Sequence, residues 1–108
     1  MAPYLVALTA LGTEAEARLL VRQLVGDRVV ACGTVVPGAT SVFRWAGEVT
    51  ESNEVIVLLK TRRERWSALE AAIRERHPYD VPELLALPVE AGLPAYLEWV
   101  ATETSEAP

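Results

Sequence analysis

Apolar residues fill both alternation phases from Pro3 to Ala10, so the first predicted element is a strand that is largely buried. Gly12 breaks the pattern. Thr13 and Glu16 then stand at capping-box spacing, with acidic residues in the first turn. A helical period follows, with Leu20 and Leu24 facing inward and Ala17 and Val21 beside them. This predicts a helix that runs to about Val25 and stops at Gly26. Residues 28–36 read as a second strand, rich in β-branched side chains. Pro37-Gly38 interrupts it, either as a hairpin turn or as a bend in one long strand that resumes over residues 40–45. The bend is preferred, because Ala46-Gly47 supplies a later reversal.

A third strand is predicted over residues 48–60. Its first half, through Glu54, is polar, and its second half, from Val55 to Leu59, is apolar and buried. The two long segments form a hairpin whose far end no helix of the chain covers. Phe43 and Trp45 near that tip are expected to be exposed in a monomer, which predicts a covering neighbour and hence an oligomer. Thr61 and Glu64 repeat the capping-box spacing, and Trp66, Leu69, Ile73 and His77 fall on one face of the helix that follows. Lys60, Arg62, Arg63 and Arg65 crowd the start of that helix, where the macrodipole already favours anions. Carboxylates of a neighbouring chain, or a bound anion, are expected to compensate them.

The helix leads into His77-Pro78-Tyr79-Asp80-Val81-Pro82-Glu83, which holds the only histidine, a phenol and two carboxylates. Each proline fixes its own φ and pushes the preceding residue toward extended backbone, so His77 ends the helix and Val81 is extended. Such a segment serves either as a stiff connector or as the wall of a site. Residues 84–89 read as a fourth strand ended by Pro88. Gly92 turns the chain, Pro94 suits a first helical position, and residues 95–101 form a short last helix before a polar tail, 102–108, expected to fray. The order βαββαβ plus a terminal helix is the ferredoxin-like split arrangement: one α+β domain over residues 1–108, its antiparallel sheet covered by helices on one face. That fold decides no function.

Composition narrows the field. The 108 residues suit one domain, and 51% apolar content argues against disorder. No run is long enough to span a bilayer, and the first residues lack the basic start of a signal peptide. A net charge of −5 disfavours nucleic acid as a partner. The single cysteine, Cys32, suits a reducing cytoplasm; it reads first as a small buried hydrophobe and second as a metal ligand. No nucleophile elbow, paired Cys and His, or metal triad of known spacing appears, so catalysis is not expected.

Ala31-Cys32-Gly33-Thr34, Pro37-Gly38-Ala39-Thr40-Ser41 and Trp45-x-Gly47 resemble the central signature of the divalent-cation tolerance (CutA) family. Lys60-Thr61, His77-Pro78-Tyr79-x-x-Pro82-Glu83 with Leu87-Pro88, and Tyr96-Leu97-x-Trp99 resemble the rest of it, in the same order. The resemblance implies a homotrimer whose long hairpins embrace neighbouring subunits, with shared polar residues near the clefts. It also implies tolerance of copper and other divalent metals. Some metal-binding members have a cysteine at the end of the first strand and a His-His pair before Pro-Tyr. Here those positions are Thr9 and Arg76, so only His77 of that set remains.

The resulting expectation is a non-catalytic, cytoplasmic trimer that binds copper(II) or another divalent cation but needs none. His77 is the leading donor and Cys32 the second. The cleft residues are expected to be Lys60, Arg62, Tyr79, Asp80, Glu83 and Trp45. The alternative is a sensor trimer similar to PII-type regulators, with a small anion held by the Lys60–Arg65 cluster.

Overall fold

The computed structural model describes residues 1–106. Its elements are β1 (Tyr4–Leu11), α1 (Glu14–Gly26), β2 (Cys32–Trp45), β3 (Glu48–Arg62), a 3-10 turn (Arg63–Arg65), α2 (Trp66–Arg76), β4 (Leu85–Pro88) and α3 (Pro94–Glu103). The sheet order is β2-β3-β1-β4 with every neighbour antiparallel, which is the ferredoxin-like arrangement.

Local chemistry accounts for most boundaries. Thr13 Oγ1 accepts from Glu16 N at 3.1 Å, as the capping spacing predicts. α1 closes through Arg28, whose φ of 61° lets the amides of Val29 and Val30 turn back to Leu24 O. Those bonds, with Arg28 N to Val25 O, keep residues 28–30 out of the strand expected there, while the amide of Ala31 already reaches Lys60 O of β3. The long second strand bends where expected: pairing with β3 slips between Val36 and Ala39, and Gly38 takes a φ of 84°. The reversal at Ala46-Gly47 has both residues at positive φ, the backbone of a tight two-residue hairpin.

The second capping box does not form. β3 continues to Arg62, because Thr61 and Arg62 pair with Leu5 and Tyr4 of β1. Thr61 is buried and donates its hydroxyl to Val29 O at 2.7 Å, so it cannot cap a helix. The last helix starts at Pro94 as expected and runs past its expected end at 101 to Glu103. Thr104, expected in a frayed tail, is fully buried; residues 107 and 108 of that tail lie outside the described residues.

α1 and α2 pack on one face of the sheet. Leu20, Val21 and Leu24 meet Leu69 and Ile73 over Ala7, Leu11, Val57 and Leu59. Gly33 makes that approach possible: a Cβ there would lie 2.8 Å from Val21 Cγ1 and 2.9 Å from Leu59 Cδ2. The opposite face is different. Strand alternation places Val6 and Leu8, Ile56 and Leu58, and Leu85 and Leu87 together there. The first four are only partly buried, and Leu85 and Leu87 are exposed. α3 reaches one end of this face, where Arg62 bonds Thr104 and Tyr96 meets Cys32.

Candidate functional site

His77 caps the C-terminus of α2, and Pro78 holds it extended at ψ 135°. β4 pairs with β1 only from Leu5 to Leu8, so the free edge of β1 beyond that point needs another partner. His77 supplies it. Its Nε2 donates to Ala10 O at 2.8 Å, and its Nδ1 accepts from Tyr79 N at 3.1 Å. The ring is buried and sits edge-on to Tyr79, centroids 4.7 Å apart. These two bonds require the Nε2–H tautomer and leave no free lone pair on the imidazole. In this arrangement the imidazole expected to lead as a copper donor presents no open lone pair.

Cys32 offers His77 no help. It pairs with Lys60, whose partner on β1 is Val6, four positions along the strand from Ala10. That places the two about 13 Å apart along the sheet, too far for one metal ion. Cys32 is half-buried, with Sγ 3.5 Å from Tyr96 Oη. The hydrogen bond to Cys32, then burial, pushes the Tyr96 phenol up to about 12. Thr9 is fully buried on the helix-packed face, and its hydroxyl has no partner. Among the described residues, no three His, Cys, Asp or Glu side chains are placed to hold a metal ion.

Four of the expected cleft residues do converge. Trp45, Tyr79, Asp80 and Glu83 line an open groove of about 820 Å³ between the outer hairpin and the 77–83 segment. Phe43 and Glu54 complete its walls, and Glu51 brings the carboxylates to four. Among the described residues, no lysine or arginine lines it. Glu54 and Glu51 escaped the sequence reading, although Glu54 was legible: it alternates with Ser52 and Thr50 along the polar half of β3. Tyr79 Oη donates to Glu54 Oε2 at 3.0 Å.

Burial first, then the bond to Glu54 and its charge, and last the charge of Glu16, push the Tyr79 phenol up to about 12. A raised phenol holds its proton longer in the folded chain than in the unfolded one. Its stabilisation is complete below pH 10 and is lost as pH rises from 10 toward 12. Denaturation midpoints are therefore expected to fall across that window, and less steeply in Tyr79→Phe. In Glu54→Gln, tyrosinate absorbance should show the Tyr79 phenol titrating closer to 10. An unchanged titration there would remove Glu54 as a cause.

Lys60 and Arg62 lie elsewhere, at the other end of the sheet. Lys60 Nζ donates to Thr34 Oγ1 at 2.8 Å, and Arg62 bonds Thr104 and pairs with Glu64. Arg63 Nε donates to Ala2 O at 2.6 Å, and Arg65 pairs with Glu106 at 2.6 Å. The expected anion cluster is thus dispersed onto partners within the chain, and with it goes the feature that suggested an anion sensor.

Comparison with known proteins bears on this geometry. The sequence profile of the family "CutA1 divalent ion tolerance protein" matches residues 5–103. The divalent-cation tolerance protein CutA of Thermus thermophilus is 40% identical over 99 residues, 92% of this chain and 96% of that one. The solved structure of the Thermus thermophilus divalent cation tolerance protein matches with a TM-score of 0.92 at 39% identity, covering 94% of this chain and 99% of the other. CutA1 from Oryza sativa matches with a TM-score of 0.94 at 33% identity, over 98% of this chain and 97% of that one.

Proposed function

The chain belongs to the CutA1 divalent ion tolerance family, and from that premise we propose that it is a non-catalytic homotrimer. Its acidic grooves, at the subunit boundaries, attract divalent cations, copper(II) among them. The groove is the observation that carries this reading. Its four carboxylates have no cation beside them, so their field favours cationic ligands. The family's name carries the divalent class; copper(II) and the count of three subunits are our extension of the motif resemblance.

The uncovered sheet face supports assembly. Its middle is apolar, one end holds the acidic groove, and the other end holds Lys60 and Arg62. Contact with neighbouring copies over this face buries the apolar middle.

One chain does not fit a closed copper(II) site, since the imidazole is engaged and the thiol is remote. Cations are accordingly held loosely, by carboxylates that keep much of their hydration. The test is copper(II) titration by equilibrium dialysis. Asp80→Asn combined with Glu83→Gln should weaken binding roughly threefold to tenfold at low salt, and added salt should erase the difference. Undiminished binding in that variant would move the site out of the groove. A parent that binds no better than an unrelated acidic protein would remove direct binding from the function.

A further inference from the structure

α3 is anchored unlike the other helices. Of its ten residues only Val100 is buried, with Thr104 just beyond its end. Leu93 at the N-cap makes no side-chain bond, Leu97 is only partly buried, and Tyr96 and Trp99 keep 41% and 43% of their surface exposed in the isolated chain. One fully buried valine and three partly covered side chains make a thin apolar anchor for ten ordered residues. The last turn has no basic residue and carries Glu103, which opposes the helix dipole.

Three arginines from other elements supply what α3 lacks. Arg28, after α1, points Nη1 at Thr102 O and Glu103 O, both at 3.4 Å. Arg62, ending β3, donates Nε to Thr104 Oγ1 at 2.8 Å and Nη2 to Thr104 O at 2.9 Å. Arg65 donates Nη1 to Glu106 at 2.6 Å and Nε to Arg28 O at 3.3 Å, tying two of the three together. Thr104 Oγ1 donates onward to Val100 O at 2.8 Å. Guanidinium groups thus meet the carbonyls that a helix C-terminus leaves open. An external anion in the same place would face those carbonyls, so the arrangement suits a latch and not an anion site.

The latch holds something down. Tyr96 of α3 lies against Cys32, the first residue of β2, beside Lys60 and Thr34. We propose that α3 is a flap over the Cys32 end of the sheet, latched by Arg28, Arg62 and Arg65, and that it opens as a unit while the sheet, α1 and α2 stay folded. Segments with few apolar contacts open below the global unfolding free energy. A latch made of charge-assisted bonds loosens as salt rises.

Hydrogen exchange followed by mass spectrometry on the intact protein tests this. Amides of residues 97–104 should exchange faster than those of β1 and β3. Arg62→Met keeps the aliphatic stem and removes the latch bonds; it should accelerate α3 roughly tenfold to a hundredfold and leave β1 and β3 unchanged. Raising salt from about 0.05 M to about 1 M should accelerate α3 severalfold in the unmodified protein. Alkylation of Cys32 should rise in step with α3 exchange. Thr104→Val, which retains volume but loses the acceptor of Arg62 Nε, serves if Arg62→Met does not fold. Exchange of α3 that ignores both salt and these variants would overturn the latch. Acceleration of α3 and β1 together would mean global unfolding and overturn the flap. Faster α3 exchange with constant Cys32 alkylation would overturn the coverage of the thiol.

Discussion

Leu87→Asp is expected to leave each chain folded and to turn the assembly into monomers at micromolar concentration. Leu87 lies on β4, 54% exposed in the isolated chain, so the substitution removes little packing within it. Exposed positions of this kind change stability by only about 0.5 kcal/mol in either direction. In an assembly that covers the open sheet face, the same position sits beside Val6 and close to Leu8 and Leu85, in the apolar middle of the contact. Assembly buries about half of each leucine, so its loss removes about 0.8–1.6 kcal/mol per subunit, or roughly 2–5 kcal/mol per trimer, before the desolvation of three carboxylates is counted. Sedimentation velocity at several concentrations reads the outcome directly. A trimer that persists in this variant would place the contact on another surface, and a parent already monomeric would remove the proposed assembly. Circular dichroism of the variant checks that its fold survives.

The fold was legible in the sequence because its signals were local and mutually consistent. Thr13 with Glu16, Pro94 and the Ala46-Gly47 reversal each act within a few residues, and each forms as its chemistry dictates; α1 also ends at Gly26, although Arg28 and not the glycine takes the left-handed backbone. The bend at Pro37-Gly38 was legible for the same reason. Thr61 misled because a capping spacing is only a local preference. Pairing with Leu5 and a buried bond to Val29 O are worth more than a cap, and both come from residues distant in sequence. Residues 28–30 show the reverse: β-branched side chains suggested a strand, but the closing turn of α1 held their amides.

The site was legible only in part. The junction from His77 to Glu83 stood out because prolines and polar side chains rarely crowd together without a structural demand. Its convergence with Trp45 depends on how far the hairpin extends, which the distance from Ala46-Gly47 to the core strands makes readable. The destination of the cations was not readable. Arg62 and Arg65 find Thr104 and Glu106, about forty residues away, through the docking of α3. Nothing periodic in residues 94–106 announces that docking, since Val100 and Thr104 are the only fully buried anchors. His77 posed the subtler problem. A lone imidazole at a buried helix end invites a ligand reading, whereas the unpaired edge of β1 that it satisfies exists only in the assembled sheet.

His77→Ala should therefore act on stability first. The substitution strands Ala10 O and the Tyr79 amide, empties the space of a buried ring, and removes its edge contact with Tyr79. Each stranded group costs about 1–3 kcal/mol where water cannot reach it, and partial relaxation brings the expected total to about 2–4 kcal/mol. Denaturant midpoints compared at equal protein concentration measure it, since subunit association adds to the apparent stability. A metal ligand behaves differently: its removal leaves the metal-free protein as stable as before, or more so. His77→Gln separates the two roles. Its side-chain amide can still donate toward Ala10 O but cannot at the same time accept from Tyr79 N, so it should restore part of the lost stability. Copper(II) affinity in the glutamine variant should stay within about threefold of the parent, because the groove carboxylates are untouched. If His77→Gln instead keeps its stability and loses copper(II), then the imidazole is the donor. Its Nδ1 must then leave the Tyr79 amide whenever a metal binds, and the junction would be a moving part instead of a fixed wall.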